Sequence, residues 1–178
     1  MTFQLEKIET ASKGELYAEL AGQLHSLLAD ERDFIANAAN FASLLFYSLP
    51  DVTWAGFYLS KADELVLGPF QGKPACVRIA MGKGVCGTAA EQRQTILVAN
   101  VHDFPGHIAC DSVSNSEIVV PLIKQERLIG VLDLDSQAFN RFDDEDARGL
   151  NELAEIFIDS TSLEFNLLGA TADSQAKA

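Results

Sequence analysis

Three cysteines lie in turns near the middle of this chain, and they are the residues best suited to do chemistry. Cys76, Cys86 and Cys110 are the only cysteines among 178 residues, and glycine or proline lies close to each of them. A thiolate can attack an electrophilic sulfur and can then be captured in a disulfide. Their number is odd and they lack CxxC spacing, which argues against a disulfide framework and against a zinc ribbon. The pattern indicates transient thiol redox chemistry.

A second group of candidates follows from strand alternation. A strand over residues 52–59 places Trp54 and Tyr58 on one face, and a strand over 127–135 places Asp133 and Asp135 together. Glu117 is a candidate third carboxylate. If these faces line one cavity, the carboxylates and aromatic rings form a receptor for an ammonium group. The alternative is that the aromatics are ordinary core residues and the aspartates lie on a solvated face or strand end.

The three cysteine segments carry a resemblance to a known family. GPFQGKPAC (68–76), GKGVCG (82–87) and FPGHIACD (104–111) resemble the free methionine-(R)-sulfoxide reductases, a branch of the GAF-domain superfamily, and the likeness runs over 54–142. This resemblance implies thiol-dependent reduction of free L-methionine (R)-S-oxide to L-methionine, through a cysteine sulfenic acid and an intramolecular disulfide. It also implies thioredoxin as the external reductant, with NADPH acting through thioredoxin reductase, and no bound cofactor. A homodimer is expected on the same ground.

The resemblance further implies the roles of individual residues. Cys110 is expected to be the nucleophile and Cys76 the resolving thiol. Cys86 is either a second resolving thiol or a small buried residue at a helix start. The residues expected to bind the substrate are Trp54, Tyr58, Ile108, Ala109, Glu117, Asp133 and Asp135.

The loop around Cys110 and the carboxylates suggest how charge is handled. We expect backbone N–H groups of residues 106–110 to bind the substrate carboxylate. His102, His107 or backbone N–H groups are candidates for lowering the pKa of the Cys110 thiol. One of the three carboxylates, kept protonated by burial or by its neighbours, is expected to protonate the departing oxygen.

Two other functions compete with this interpretation. Metal-ligand types are present at Cys76, Cys86, His102, His107, Cys110 and Asp111, but their spacings match no common zinc pattern, so no metal site is predicted. GAF domains also serve as sensory modules that bind small ligands without catalysis, and residues 139–146 resemble the end of a generic GAF domain. The length of the chain, which leaves no room for an output domain, and its cysteines favour the enzyme.

Composition and charge narrow the class of protein. The chain is 48% hydrophobic, which suits one domain, and its formal charge of −13 disfavours nucleic acid and anionic membranes as partners. We find neither a signal-peptide pattern nor an apolar run of the roughly 20 residues that a membrane span needs. A cytoplasmic location is expected.

Periodicity predicts an α+β domain of GAF-like fold, with about six antiparallel strands and helices packed on one face. Helices are predicted at 13–28 and 31–49, and a closing helix after 143–146. Strands are predicted at 52–59, 64–69, 76–80, 96–99, 116–124 and 127–135. The domain spans 1–168, divided into N-terminal helices (1–50), sheet and active-site loops (51–142) and the closing helix (143–168). Residues 169–178 are predicted to be disordered.

Overall fold

A computed structural model of the protein describes residue 8 and residues 12–108 and 113–162. Within these residues the chain forms four α-helices: α1 (Lys13–Leu28), α2 (Phe34–Ser48), α3 (Gly84–Gln92) and α4 (Asp144–Ser160). It also forms six strands: β1 (Val52–Lys61), β2 (Glu64–Gln71), β3 (Arg78–Ala80), β4 (Ile96–Val98), β5 (Ser116–Lys124) and β6 (Arg127–Ser136). The α+β class is confirmed.

The six strands form one antiparallel sheet in the order β3-β2-β1-β6-β5-β4. Each half is a meander, and the halves join where β1 pairs with β6. That pairing sets Trp54 opposite Asp135, and the β5–β6 pairing sets Asp135 opposite Glu117. Residues far apart in the sequence therefore lie in one row across three central strands.

One face of the sheet carries the main apolar core. Helices α1, α2 and α4 cover it, and the alternate residues Ala55, Phe57 and Leu59 of β1 point into this core. Phe57 packs against Phe41 and Phe157, with ring centroids 5.9 Å and 5.1 Å away. The predicted alternation of β1 is thus confirmed, and the large apolar side chains provide most of the burial that stabilises the domain.

The opposite face of the sheet is covered by α3 and the loops beside it. Val85, Cys86 and Ala89 of α3 pack with Trp54 and Tyr58 of β1 in a second apolar cluster. The prediction that helices pack on one face of the sheet is therefore confirmed for α1, α2 and α4. It did not include α3, which packs on the other face. This helix is short and weakly amphipathic, so its sequence shows a turn and a helix start but not the face that it covers.

Most predicted boundaries agree with the structure to within a few residues. Helix α1 and strand β5 have the predicted bounds, and the turn between β5 and β6 is formed by Gln125 and Glu126 in left-handed conformations (φ 48° and 62°). Helix α2 begins later than predicted because Asp33 caps it, accepting a hydrogen bond from Ala36 N. Strand β3 begins two residues later than predicted, at Arg78, so Cys76 precedes the strand.

The chain termini are only partly described. Residues 163–178, which include the predicted tail, lie outside the described residues. Within the described part, no helix combines the length and the apolar character that crossing a bilayer requires.

A buried carboxylate ties α4 to α1. Asp146 is fully buried and accepts hydrogen bonds from the Tyr17 hydroxyl at 2.8 Å, the Lys13 ammonium at 2.5 Å and the Arg141 guanidinium at 3.2 Å. Its other contact is the backbone N–H of Asp143, which completes a capping box. The pair of cations compensates the burial of this charge.

We expect Asp146→Asn to destabilise the fold by about 3 kcal/mol, because it leaves two cations without their carboxylate. Urea unfolding followed by circular dichroism measures the change. Asp144→Asn, an exposed carboxylate on the same helix turn, is the matched control and should change stability by less than about 0.5 kcal/mol. Equal effects of the two substitutions would contradict the proposed clamp.

Candidate functional site

A cavity lies on the α3 side of the sheet, above the row formed by β1, β6 and β5. The space between its walls is about 530 Å³ when the open solvent at its mouth is counted, and the enclosed part is much smaller, about 40 Å³. The predicted site residues that line it are Trp54, Tyr58, Cys86, Ile108, Glu117, Asp133 and Asp135. Strand alternation predicted two pairs on two different strands, the aromatic pair on β1 and the acidic pair on β6. The structure brings both pairs to one cavity.

Stacked aromatic rings form one wall of the cavity. Trp54 stacks on Tyr58, with centroids 5.9 Å apart, and on Phe70 at 5.3 Å. The backbone must pass close to the indole, so a Cβ atom at Gly56 or Gly72 would lie 2.7 Å or 2.6 Å from it. The lack of a side chain at these two positions leaves the space that the indole occupies.

The polar ends of the two cavity aromatics bind the segment that leads to Cys76. The Trp54 Nε1–H donates to Lys73 O at 3.1 Å, and the Tyr58 hydroxyl donates to Cys76 O at 3.0 Å. These bonds give buried polar groups their partners. They also connect the wall of the cavity to a cysteine-bearing loop.

The acidic wall is buried. Glu117 and Asp133 are only 6% and 5% exposed, and Asp135 is partly exposed. Burial, together with Asp133 and Asp135, raises the pKa of Glu117 well above its ordinary value. Burial and then Asp135 likewise raise the pKa of Asp133. These carboxyl groups hold protons more strongly than exposed ones until a cation enters.

Asp133 also has an unused acceptor. Its Oδ1 is buried and has no hydrogen-bond partner among the described residues. A buried acceptor without a donor costs about 1–3 kcal/mol. The cavity is therefore prepared for a ligand that brings a donor or a positive charge.

The cysteines occupy different chemical states. Cys76 is disulfide-bonded, whereas Cys86 is a buried free thiol on α3 with its Sγ 3.9 Å from Glu117 Oε1. Burial, Asp133 and Glu117 raise the pKa of the Cys86 thiol. Such a thiol is a poor nucleophile. Cys110 and Ala109 lie outside the described residues.

The loop before Cys110 only partly fits the predicted anion site. Gly106 has a left-handed conformation (φ +71°), but the His107 N–H already donates to Phe104 O at 3.1 Å. Ile108 lines the cavity and lies against Gly84. Any backbone site for the substrate carboxylate must therefore use N–H groups other than that of His107.

Of the two histidines near this loop, His107 is a weak source of positive charge. His107 lines the cavity, with its Nε2 3.8 Å from Glu117 Oε2, and burial and His102 lower its pKa. His102 is exposed, and its Nε2 contacts Asn115 Oδ1 at 2.9 Å. Near neutral pH the imidazole of His107 is therefore mostly uncharged.

Sequence reasoning missed two lysines at the rim of the cavity. Lys73 and Lys83 both line it, and both are exposed. Each follows a glycine in a turn, which gave no periodic signal. They are cationic groups in a region where we expected only backbone donors.

Comparisons with known proteins place this geometry in context. A family model described as a GAF domain matches residues 29–157. The chain is 55% identical over 142 residues to the free methionine-R-sulfoxide reductase of Escherichia coli K12, which covers 80% of this chain and 86% of that protein.

Solved structures show the same similarity. The free methionine-R-sulfoxide reductase of Neisseria meningitidis, solved in complex with its substrate, is 46% identical, with a TM-score of 0.85 over 89% of this chain and 95% of that one. The reduced form of fRMsr of Staphylococcus aureus is 51% identical, with a TM-score of 0.79 over 81% and 94%. The substrate complex concerns a protein with the same fold over nearly its full length.

The buried carboxylates predict how stability changes with pH. Raised pKa values in the folded state stabilise the fold at low pH, and this contribution is lost as pH rises from the unfolded pKa of about 4 through the raised values. We expect Glu117→Gln to flatten this fall in melting temperature as pH rises above about 4, and to stabilise the ligand-free protein on the alkaline side of the fall. Differential scanning fluorimetry measures it. The exposed Glu152→Gln is the control, and an unchanged pH slope in Glu117→Gln would refute the prediction.

Proposed function

Since this chain belongs to the GAF-domain family and, within it, to the free methionine-R-sulfoxide reductases, we propose that it reduces free L-methionine (R)-S-oxide to L-methionine. The observation that carries the proposal is one cavity with a buried acidic wall, a stacked aromatic wall and the backbone of a disulfide-bonded cysteine hydrogen-bonded to that aromatic wall. The cysteines add the electrons that a reduction needs.

The acidic wall binds the substrate ammonium. Glu117, Asp133 and Asp135 surround one region of the cavity, and Asp133 Oδ1 lacks a partner there. A free amino acid brings three N–H donors and a positive charge, and the indole and phenol rings add a cation–π contribution of about 0.5–2 kcal/mol. A methionine sulfoxide inside a polypeptide has no such ammonium. The enzyme therefore selects the free amino acid.

The substrate carboxylate is bound near the loop that leads to Cys110. Backbone N–H groups of Ile108 and Ala109 remain our candidates, and the Lys83 ammonium at the rim adds attraction for an anion. Separate groups for the ammonium and for the carboxylate orient the substrate with its sulfoxide toward the cysteines. A small zwitterion fits this pattern of charge.

The reduction transfers two electrons from a thiol to the sulfoxide. The Cys110 thiolate attacks the sulfoxide sulfur, the oxygen is protonated and is transferred to sulfur, and the products are methionine and a Cys110 sulfenic acid. Glu117 or Asp133 is suited to supply the proton, because the pKa of each is raised by burial. Because His107 is mostly uncharged, His102 and backbone N–H groups remain our candidates for favouring the Cys110 thiolate.

Cys76 resolves the sulfenic acid. Its thiol condenses with the Cys110 sulfenic acid, releases water and forms a disulfide. Cys76 is disulfide-bonded while Cys86 is free, which supports this pairing, since the chain contains one other cysteine. A dithiol protein, thioredoxin in our proposal, then reduces the disulfide with electrons from NADPH. The homodimer and the cytoplasmic location stay predictions.

Substitution of each cysteine should give a distinct pattern of turnover. Cys110→Ser abolishes methionine formation, because no sulfur attacks the sulfoxide. Cys76→Ser forms about one methionine per chain and stops at a sulfenic acid that dimedone traps. Cys86→Ser keeps repeated turnover with the thioredoxin system, since its sulfur carries no electrons. Quantification of methionine and mass spectrometry of the protein provide the readout, and full turnover by Cys110→Ser would overturn the assignment.

Blocking the substrate amine should abolish recognition. We expect kcat/KM for N-acetylmethionine sulfoxide to fall at least about 10³-fold below that of the free amino acid, because buried carboxylates are left unpaired. A coupled assay of NADPH oxidation with thioredoxin and its reductase measures both substrates. The S epimer of free methionine sulfoxide is the second control, because it keeps the free amine and differs only in configuration at the sulfoxide sulfur. Equal rates for free and acetylated substrates would contradict an ammonium receptor.

A further inference from the structure

We propose that the cavity also binds a divalent transition-metal ion, Zn²⁺ in the cell, through Cys86, Glu117 and Asp133, and that this ion excludes the substrate. The inhibitory part rests on the proposed function, because it places the metal where the substrate ammonium binds. The metal site itself rests on the geometry of three buried side chains.

The three side chains are close enough to share one ion. A sulfur atom and two carboxylate oxygens, from Cys86, Glu117 and Asp133, all lie within 4.8 Å of one another, and Cys86 Sγ is 3.9 Å from Glu117 Oε1. Ligand atoms around a tetrahedral zinc are roughly 3.4 to 3.6 Å apart, given Zn–O and Zn–S distances of about 2.1 and 2.3 Å. Movements of about an ångström or less would complete the site.

A second observation indicates that the cluster lacks a cation. Asp133 is 5% exposed, its side chain lines the cavity, and its Oδ1 has no hydrogen-bond partner among the described residues. Cys86 and Glu117 are equally buried, at 4% and 6% exposure. Buried acidic groups without a neutralising charge are costly, and a divalent ion neutralises two of them where an ammonium neutralises one.

The donor set selects the kind of metal. One sulfur and two oxygens at short range suit Zn²⁺ or Co²⁺, whereas Ca²⁺ needs six to eight oxygen ligands and Mg²⁺ keeps octahedral oxygen geometry. His107 lines the same cavity, with its Nε2 3.8 Å from Glu117 Oε2, but its ring nitrogens do not join the three ligand atoms that lie within 4.8 Å of one another, so solvent would supply the fourth ligand. Binding displaces the thiol proton and any carboxylic proton into solvent.

The site differs from the metal site considered from the sequence. Four of those six candidate ligands lie among the described residues, and of these four Cys86 alone belongs to the cluster; its partners are two carboxylates that lie 31 and 47 positions further along the chain. Motif spacing does not reveal such a set. It also gives Cys86 a function that does not require it to carry electrons.

The test uses the full chain with Cys76→Ser and Cys110→Ser, so that Cys86 is the one thiol left. Titration with Co²⁺ should produce a thiolate-to-cobalt charge-transfer band that saturates at one equivalent and disappears when Zn²⁺ is added. Asp133→Asn in this background should weaken Co²⁺ binding more than about tenfold by calorimetry. Asp135→Asn, which removes a carboxylate of the same cavity outside the cluster, is the matched control and should retain the band.

A titration in the presence of free methionine tests whether the metal and the substrate bind at the same position. Methionine should raise the Kd for Co²⁺ in proportion to its own concentration, when that Kd is calculated from the Co²⁺ that methionine has not itself chelated. Absence of the band in the folded protein, or equal affinities of the two aspartate variants, overturns the metal site. A band that methionine leaves unchanged overturns the shared position. Because this protein cannot turn over, these outcomes are separate from the reductase assay, which tests the proposed function alone.

Discussion

The pairing of β1 with β6 is the constraint on which the rest of the structure depends. It joins two meanders that are each local in sequence, and it places Trp54, Asp135 and Glu117 in one row. Both sides of the central strands are in use, one against three helices and the other against the cavity. A shift of one residue in this pairing would send either the acids of β6 into the apolar core or Phe57 of β1 into the cavity.

The same pairing creates an energetic conflict within one sheet. The acids of the cavity are crowded and dehydrated, which opposes folding, whereas the helix-covered face gains free energy from its apolar side chains. The clamp at Asp146 shows the contrasting solution for a buried acid, because that carboxylate has cations and a hydroxyl around it. Asp133 Oδ1, in contrast, has no hydrogen-bond donor among the described residues. A buried carboxylate oxygen left without a donor in a stable fold is typical of a site whose partner is a ligand.

Local patterns were enough to predict the elements and the side of each strand on which a residue lies. Alternation placed Trp54 with Tyr58 and Asp133 with Asp135, because a period of two is a property of the strand itself. The neighbours of Cys86 could not be predicted, since Glu117 reaches it only through the packing of α3 on the sheet. The bond between Tyr58 and the carbonyl of Cys76, and the lysines at the rim, depend in the same way on loop geometry.

Trp54 is the single tryptophan of the chain, and it stands in the wall of the cavity. Its indole nitrogen is bonded to the loop that leads to Cys76, and its ring is stacked between Tyr58 and Phe70. When the protein is excited at a wavelength that its three tyrosines do not absorb, its fluorescence therefore originates at one defined position. Ligand binding in the cavity and rearrangement of the adjoining loop can therefore be followed by tryptophan fluorescence, without attaching a dye.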